Sequence, residues 1–281
     1  MRPLQKEIVE QFNVKPEIDP ETEVREIIDF MKDYVKNYTF IKSFVLGISG
    51  GQDSTLLGKL AQMAVDELNE EVEGGGYEFH ALRLPYGKQN DEQDAIDAVE
   101  YIQPTVSATI DIQPNVDQSI ASLKEAGYEL TDFLEGNEKA RERMKAHYAV
   151  AAVSDGVVLG TDHPAEAITG FYTKFGDGAA DLVPLFGLNK RQGKMLLEYL
   201  EAPEHLANKV PTADLEDDKP MLSDEEALGV SYNAIDDFLE GREVSDKDYE
   251  TIIGWFKKTQ HKRDLPYHRY NKPAYGEKQE E

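Results

Sequence analysis

The sequence predicts an α/β protein: a doubly wound parallel sheet covered by helices on both faces, in three α/β/α layers. Three observations predict it. Short apolar or alternating runs recur at residues 42–49, 79–84, 106–112 and 157–160. Longer stretches with three- and four-residue apolar spacing separate them, which is the pattern of strands alternating with crossover helices. The first apolar run empties through a glycine loop into a helix, as expected where a parallel sheet holds a ligand at its strand ends.

The elements follow in order. The opening residues, about 1–18, mix charges with a few apolar positions and read as an arm. Asp19-Pro20-Glu21 supplies a helix start, with Asp19 as cap and proline in the first turn. Val24, Ile27, Ile28, Met31, Tyr34, Val35 and Tyr38 then form one apolar stripe. Residues 42–49 are the first strand and 55–71 a helix, stopped by Gly74-Gly75-Gly76. A second strand spans 79–84 and a second helix 90–102. Residues 106–112 form a third strand, 116–126 and 137–153 two more helices, and 157–160 a short apolar strand. Residues 169–181 are rich in small side chains without a period and read as a mobile loop. A last short strand is expected at 183–185 and a helix at 189–200. The acidic, proline-broken segment 212–226 reads as exposed. Helices at 232–240 and 246–259 precede a basic tail, about 260–281. No internal repeat or linker divides the 281 residues, so one domain is expected.

Composition narrows the function. There are 55 acidic against 30 basic side chains, a formal charge of −25, which disfavours nucleic acid and anionic membrane as partners. Cysteine is absent, which excludes disulfides, thiolate metal sites and cysteine nucleophiles. No apolar run reaches membrane-span length, and the charged first residues lack a signal-peptide core, so a cytoplasmic enzyme is expected.

The most informative segment is Ser49-Gly50-Gly51-Gln52-Asp53-Ser54-Thr55. Its glycines let the backbone turn and bring N–H groups against a ligand. The helix start beyond it favours an anion. A carboxylate at Asp53 would repel phosphate unless a divalent cation bridges them, so the segment points to nucleotide with metal. The Gly-Lys-Ser/Thr ending of a Walker A loop is missing. Read alone, the segment also fits an ordinary turn with Asp53 capping a helix. Gly160-Thr161-Asp162-His163-Pro164-Ala165-Glu166 leaves the end of another strand, where Asp162, His163 and Glu166 offer metal or proton chemistry.

The seven-residue loop resembles the pyrophosphatase-type loop of ligases that release AMP and pyrophosphate. With Leu82-Arg83-Leu84-Pro85-Tyr86-Gly87, Gly160-Thr161-Asp162-His163 and residues 171–181, the order and spacing resemble the ammonia-dependent NAD+ synthetases over nearly the whole chain. That resemblance implies a flavodoxin-like, adenine nucleotide alpha hydrolase-like fold, a homodimer, and amidation of deamido-NAD+ by ammonia through an acyl adenylate. It assigns ATP to Gly47, Ile48, Ser49, Gly50, Gly51, Gln52, Asp53, Ser54, Arg83, Gln89, Thr161, Lys190 and Thr212. It assigns Mg2+ to Asp53 and Glu166, and deamido-NAD+ to Arg141, Lys174, Asp181, His261 and Lys262. Asp177 would handle ammonia, and residues 169–181 would close over the adenylate. Pro164 departs from the small residue expected there, which bears on the geometry of the turn. With no cysteine and no spare length for a glutaminase domain, ammonia must arrive free or from a separate protein. The nearest rivals are other enzymes with this loop, GMP synthetase-like or tRNA-thiolating; a rival of another class is a nucleotide-binding regulatory module without chemistry.

Overall fold

The computed structural model describes residues 1–88, 92–210, 224–264 and 266–270. Gln89 and Thr212, both expected to touch ATP, lie outside these residues. The chain opens with α1 (Pro3–Phe12) and α2 (Pro20–Asn37), then alternates β1 (Ser43–Gly47), α3 (Gln52–Glu71), β2 (Glu78–Arg83), α4 (Glu92–Ile102) and β3 (Val106–Thr109). Two helices, α5 (Gln113–Glu125) and α6 (Asp132–Val153), lead to β4 (Gly156–Val158) and α7 (Pro164–Thr169). The remainder is helical: α8 (Lys190–Tyr199), α9 (Glu204–Ala207), α10 (Asp224–Leu228), α11 (Tyr232–Leu239), α12 (Asp246–Lys258) and α13 (Gln260–Arg263).

The four strands form one parallel sheet in the order β3-β2-β1-β4. Val45 on β1 sits between His80 of β2 and Val158 of β4. Four of the five β1 residues are buried, as a central parallel strand covered on both faces requires. One face packs on α2, α3, α8 and α9 through Met31, Phe44, Leu57, Leu60, Phe79 and Leu196. The other packs on α5 and α6 through Val45, Leu82, Val116, Ala151 and Val158. The expected three layers are therefore present.

A second apolar cluster lies beyond the sheet and corrects two expectations. The N-terminal arm is a helix whose Ile8 and Phe12 are buried against Phe238, Leu239, Ile252 and Phe256 of the C-terminal helices. The Gln5 amide seals this joint by donating to the carbonyls of Phe238 and Arg242 at 3.0 and 2.9 Å. Residues 183–185 do not form a strand; the sheet gains only an isolated parallel bridge, Leu159 to Leu182. Asp19 caps α2 as expected, accepting from the Thr22 N–H at 2.9 Å with Pro20 at the first position. Among the described residues, no helix is long and apolar enough to cross a membrane.

Leu60, fully buried on α3, tests how far this core holds the sheet. Leu60→Ala is expected to lower the stability by about 3 kcal/mol, from lost burial plus the cavity left behind. Urea unfolding, followed by circular dichroism, measures it.

Candidate active site

The strand order reverses direction at β1. Its crossover to β2 runs one way, while β4 pairs on the other side, so the segments leaving β1 and β4 diverge at their carboxyl ends. That divergence opens the crevice in which such sheets hold ligands. Here it is a cleft of about 590 Å³, lined by the glycine loop, the ends of β1 and β2, Thr161, Glu166, Asp177 and Lys190.

The loop after β1 is built for an anion. Gly50 takes φ +77°, and a Cβ there would meet the Asp94 and Ala95 backbone of α4 at 2.5–2.6 Å, so only glycine fits. Gly51 precedes α3 with no side chain capping the helix, which leaves its first N–H groups available. Ser49 and Ser54 brace the turn: their hydroxyls lie 3.1 Å apart, and Ser54 Oγ accepts from the Ser49 N–H at 3.3 Å. Gln52 anchors the helix start by donating to the Ala207 carbonyl at 2.8 Å. The loop is thus braced from within and presents the start of α3 to the cleft.

Facing it is an ionic cluster. Lys190 Nζ donates to Asp53 Oδ2 at 2.6 Å and lies 3.9 Å from Glu166 Oε1. His163 Nε2 is 3.6 Å from Asp53 Oδ1 and 3.5 Å from Glu166 Oε1, and neither ring nitrogen has a hydrogen-bond partner. Burial opposes the Asp53 charge, but the Lys190 ammonium and His163 outweigh it and hold the carboxyl below its ordinary range. The same carboxylates raise Lys190 and His163 against the cost of their burial. Donor atoms of Asp53, His163 and Glu166 all lie within 4.8 Å of one another, a set that suits a divalent cation. Pro164 does not disturb this turn: it is the first residue of α7, where its missing N–H would have no helical partner.

Asp162 and Asp177 bring two further carboxyl groups nearby. Burial pushes Asp162 well up, with Glu166 and Asp177 reinforcing the shift. Asp177, open to solvent on its cleft side, is also pushed up by surrounding protein, although it accepts from the Thr173 N–H at 2.9 Å. The loop expected to be mobile is tied down here. Thr173 Oγ1 donates to Asn137 at 2.8 Å, and Lys262 Nζ donates to the carbonyls of Gly170 and Tyr172 at 2.8 and 2.7 Å.

The structure brings together Gly47, Ile48, Ser49, Gly51, Gln52, Asp53, Ser54, Arg83, Thr161, Glu166, Asp177, Lys190 and Lys262. Gly50 shapes the loop from behind, and Arg83 is paired with Glu92 at 2.8 Å. Four expected contacts of deamido-NAD+ do not line the cleft of one chain. Arg141 is exposed on α6 beside Glu138, and the His261 side chain is exposed on α13. Lys174 donates to the carbonyls of His261 and Asp264. Asp181 accepts from the Val158 N–H at 2.8 Å and completes the edge of β4. Sequence reading missed His147, Asn137 and Asp224, which line the cleft from elements far apart in the chain. His147 fills the space beside Gly47, where a Cβ would lie 2.6 Å from its Nε2.

The model of the NAD synthase family matches residues 23–266. The NH(3)-dependent NAD(+) synthetase of Lysinibacillus sphaericus is 61% identical over 263 residues, covering 94% of this chain and 96% of its own. That of Oceanobacillus iheyensis is 59% identical over 264 residues, covering 94% and 96%. The crystal structure of NAD+ synthetase from Burkholderia pseudomallei superposes with a TM-score of 0.81 at 42% identity, covering 95% of this chain and 99% of that one. The structure of NMN synthetase from Francisella tularensis gives 0.80 at 35% identity, covering 91% and 100%.

The cleft imidazole leaves a pH signature. Burial, with Arg143 adding, pushes His147 from 6.5 down to about 4. Between these values the unfolded chain binds more protons than the folded one, so stability present above pH 6.5 is lost as pH falls toward 4. His147→Phe lacks that slope, so the wild type is expected to lose stability to the variant between pH 7 and 4.5. Urea midpoints at both pH values test this; a constant difference between the two proteins would refute it.

Proposed function

We propose that this chain, which belongs to the NAD synthase family, joins ammonia to the nicotinate carboxylate of deamido-NAD+ using ATP, and releases AMP and pyrophosphate. The observation that carries the reading is the start of α3, with no side chain capping it and with Asp53 in its first turn, gathered with Glu166 and Lys190 in one cleft. An anion site beside a cation site is what a metal–nucleotide substrate needs.

The chemistry proceeds in two displacements. A carboxylate oxygen of deamido-NAD+ attacks the α-phosphorus of ATP, forming a C–O–P link while the bond to the bridging oxygen breaks and pyrophosphate leaves with its electron pair. The N–H groups opening α3 and the Lys190 ammonium would receive that developing charge. The ammonia lone pair then attacks the acyl carbon and expels AMP. Asp177, whose carboxyl is pushed up from its ordinary value and is a stronger base for it, lines the cleft and would take the proton that nitrogen loses. Phe171, Tyr172 and Trp255 line the same cleft and keep water from the adenylate. Asp53 and Glu166 would hold Mg2+, with His163 beside them. When bound, the ion neutralises polyphosphate charge that these carboxylates would otherwise repel.

A homodimer fits the residues left outside the cleft. At the start of α6, Phe133 and Leu134 are 61% and 42% exposed, adjacent apolar side chains on the helix that also carries Arg141. A second copy packed there would bring α6 side chains toward the neighbouring cleft. The absence of cysteine and the acidic surface support a cytoplasmic enzyme without nucleic-acid or membrane partners.

Two measurements test the proposal. Purified protein with ATP, Mg2+, deamido-NAD+ and ammonium is expected to form NAD+, and glutamine in place of ammonium is expected to give none. A parallel tube with nicotinate mononucleotide asks whether the acceptor is the mononucleotide, since an NMN synthetase shares this fold at 35% identity. Amidation of the mononucleotide in preference to the dinucleotide would overturn the substrate assignment. Asp53→Asn is expected to lower kcat by about a hundredfold or more while leaving the circular dichroism spectrum unchanged. Wild-type turnover in that variant at limiting Mg2+ would remove the role given to Asp53.

A further inference from the structure

Lys190 stands where a metal would stand. Its side chain is 9% exposed, and its ammonium lies 2.6 Å from Asp53 Oδ2 and 3.9 Å from Glu166 Oε1. A divalent cation held by the same carboxylates would sit about 2.0–2.5 Å from each donor oxygen, in the space this ammonium borders. Both cations cannot keep their places: a full charge and a double charge a few ångströms apart in a buried cluster repel strongly.

The backbone of Lys190 cannot retreat. Lys190 is the first residue of α8, whose start is clamped from outside the cleft. Asp236 accepts from the N–H groups of Lys190 and Arg191 at 3.2 and 2.8 Å, and Asn189 and Gln192 close a capping box. Only the four-carbon side chain is left to move. A compact charge on a flexible stem can transfer from carboxylate to phosphate without disturbing the helix. The acceptor it would reach is a phosphate held at the N–H groups opening α3, the helix whose first turn carries Asp53.

We propose that Lys190 holds the metal's place in the free protein, and that nucleotide polyphosphate draws its ammonium off Asp53, so metal enters with nucleotide and not before it. This rests on the assignment of Asp53 and Glu166 as metal ligands. The pairing keeps the two carboxylates neutralised while the cleft is empty, where unpaired buried charge would be costly. It also makes free divalent cation a poor ligand of the enzyme without nucleotide. Lys190 is thus a residue that sets the order of binding, in addition to touching phosphate.

Mn2+ is the probe, counted as free ion by electron paramagnetic resonance. The intact wild-type protein is expected to bind Mn2+ weakly alone and far more tightly with an ATP analogue carrying a methylene bridge between α- and β-phosphorus. Lys190→Met is expected to bind Mn2+ alone about tenfold or more tightly than wild type. Lys262→Met removes another cleft cation, one held by backbone carbonyls, and is expected to stay within about twofold of wild type. Equal affinity of wild type and Lys190→Met overturns the proposal, as does an effect of Lys262→Met as large as that of Lys190→Met. Crystals of wild type with Mn2+ and no nucleotide decide the matter if Lys190→Met fails to fold: metal on Asp53 and Glu166 with Lys190 still paired overturns it. A different result marks failure of the underlying assignment: Asp53→Asn binding Mn2+ and analogue as tightly as wild type would remove the metal site itself.

Discussion

Everything in the cleft depends on keeping acidic side chains together at one point of the sheet. Asp53, Asp162, Glu166 and Asp177 converge where β1 and β4 part, and the Lys190 ammonium and the His163 imidazole are set among them. Such a group is expensive to assemble, since each buried charge loses its hydration. It persists because its members are held by four separate segments: the start of α3, the turn into α7, the loop that carries Asp177 and the start of α8. Losing any one would leave the rest repelling each other.

That dependence explains the second apolar layer. The cluster of α1, α7, α11 and α12 is separate from the two that cover the sheet faces, yet it fixes the cationic half of the site. Asp236 and Glu240 come from α11 and its cap; Asp236 accepts from the α8 backbone, and Glu240 accepts from Asn189 and pairs with Arg191 at 3.0 Å. Phe238 between them is fully buried among α1 and α12. Packing far from the chemistry therefore sets where the Lys190 side chain begins. The α1 helix contributes by closing that layer, through Phe12 against Phe256 at 6.3 Å between ring centres.

The legible parts of this protein are those whose chemistry and periodicity coincide. The loop at 49–55 could be read because an anion site needs its glycines, hydroxyls and carboxylate in consecutive order, and the structure puts them at the cleft. Strand and helix limits were close wherever a stripe or apolar run was long. The first helix was illegible because it has only a few buried residues, and these make sense once Phe238 and Phe256 are beside them. His147 and Asn137 lie on α6, a helix without a marked apolar face, so no periodicity separates its cleft side from its exposed side. Arg141, Lys174, Asp181 and His261 are a different case: resemblance names them, but position in one chain does not bring them to the cleft. The geometry of Asp181 shows how one carboxylate can serve a strand edge first, whatever else reaches it.

A net charge of −25 sets the last problem, because both proposed substrates are polyanions. The cleft answers it with placed cations, each already paired in the free chain. Arg83 is on Glu92, Lys190 on Asp53, Lys209 on Asp94 and Lys262 on two carbonyls. None is a bare positive charge waiting for phosphate. On the proposed function, binding proceeds by exchange, in which phosphate oxygens replace protein oxygens around each cation. Each exchange trades one charge-assisted hydrogen bond for another, so the gain per contact is small and depends on geometry. An acidic protein built this way attracts stray anions weakly. It gains on a ligand that offers several phosphate oxygens at the right spacing together, and the tetrad of partnered cations thereby favours extended polyphosphate over single phosphates.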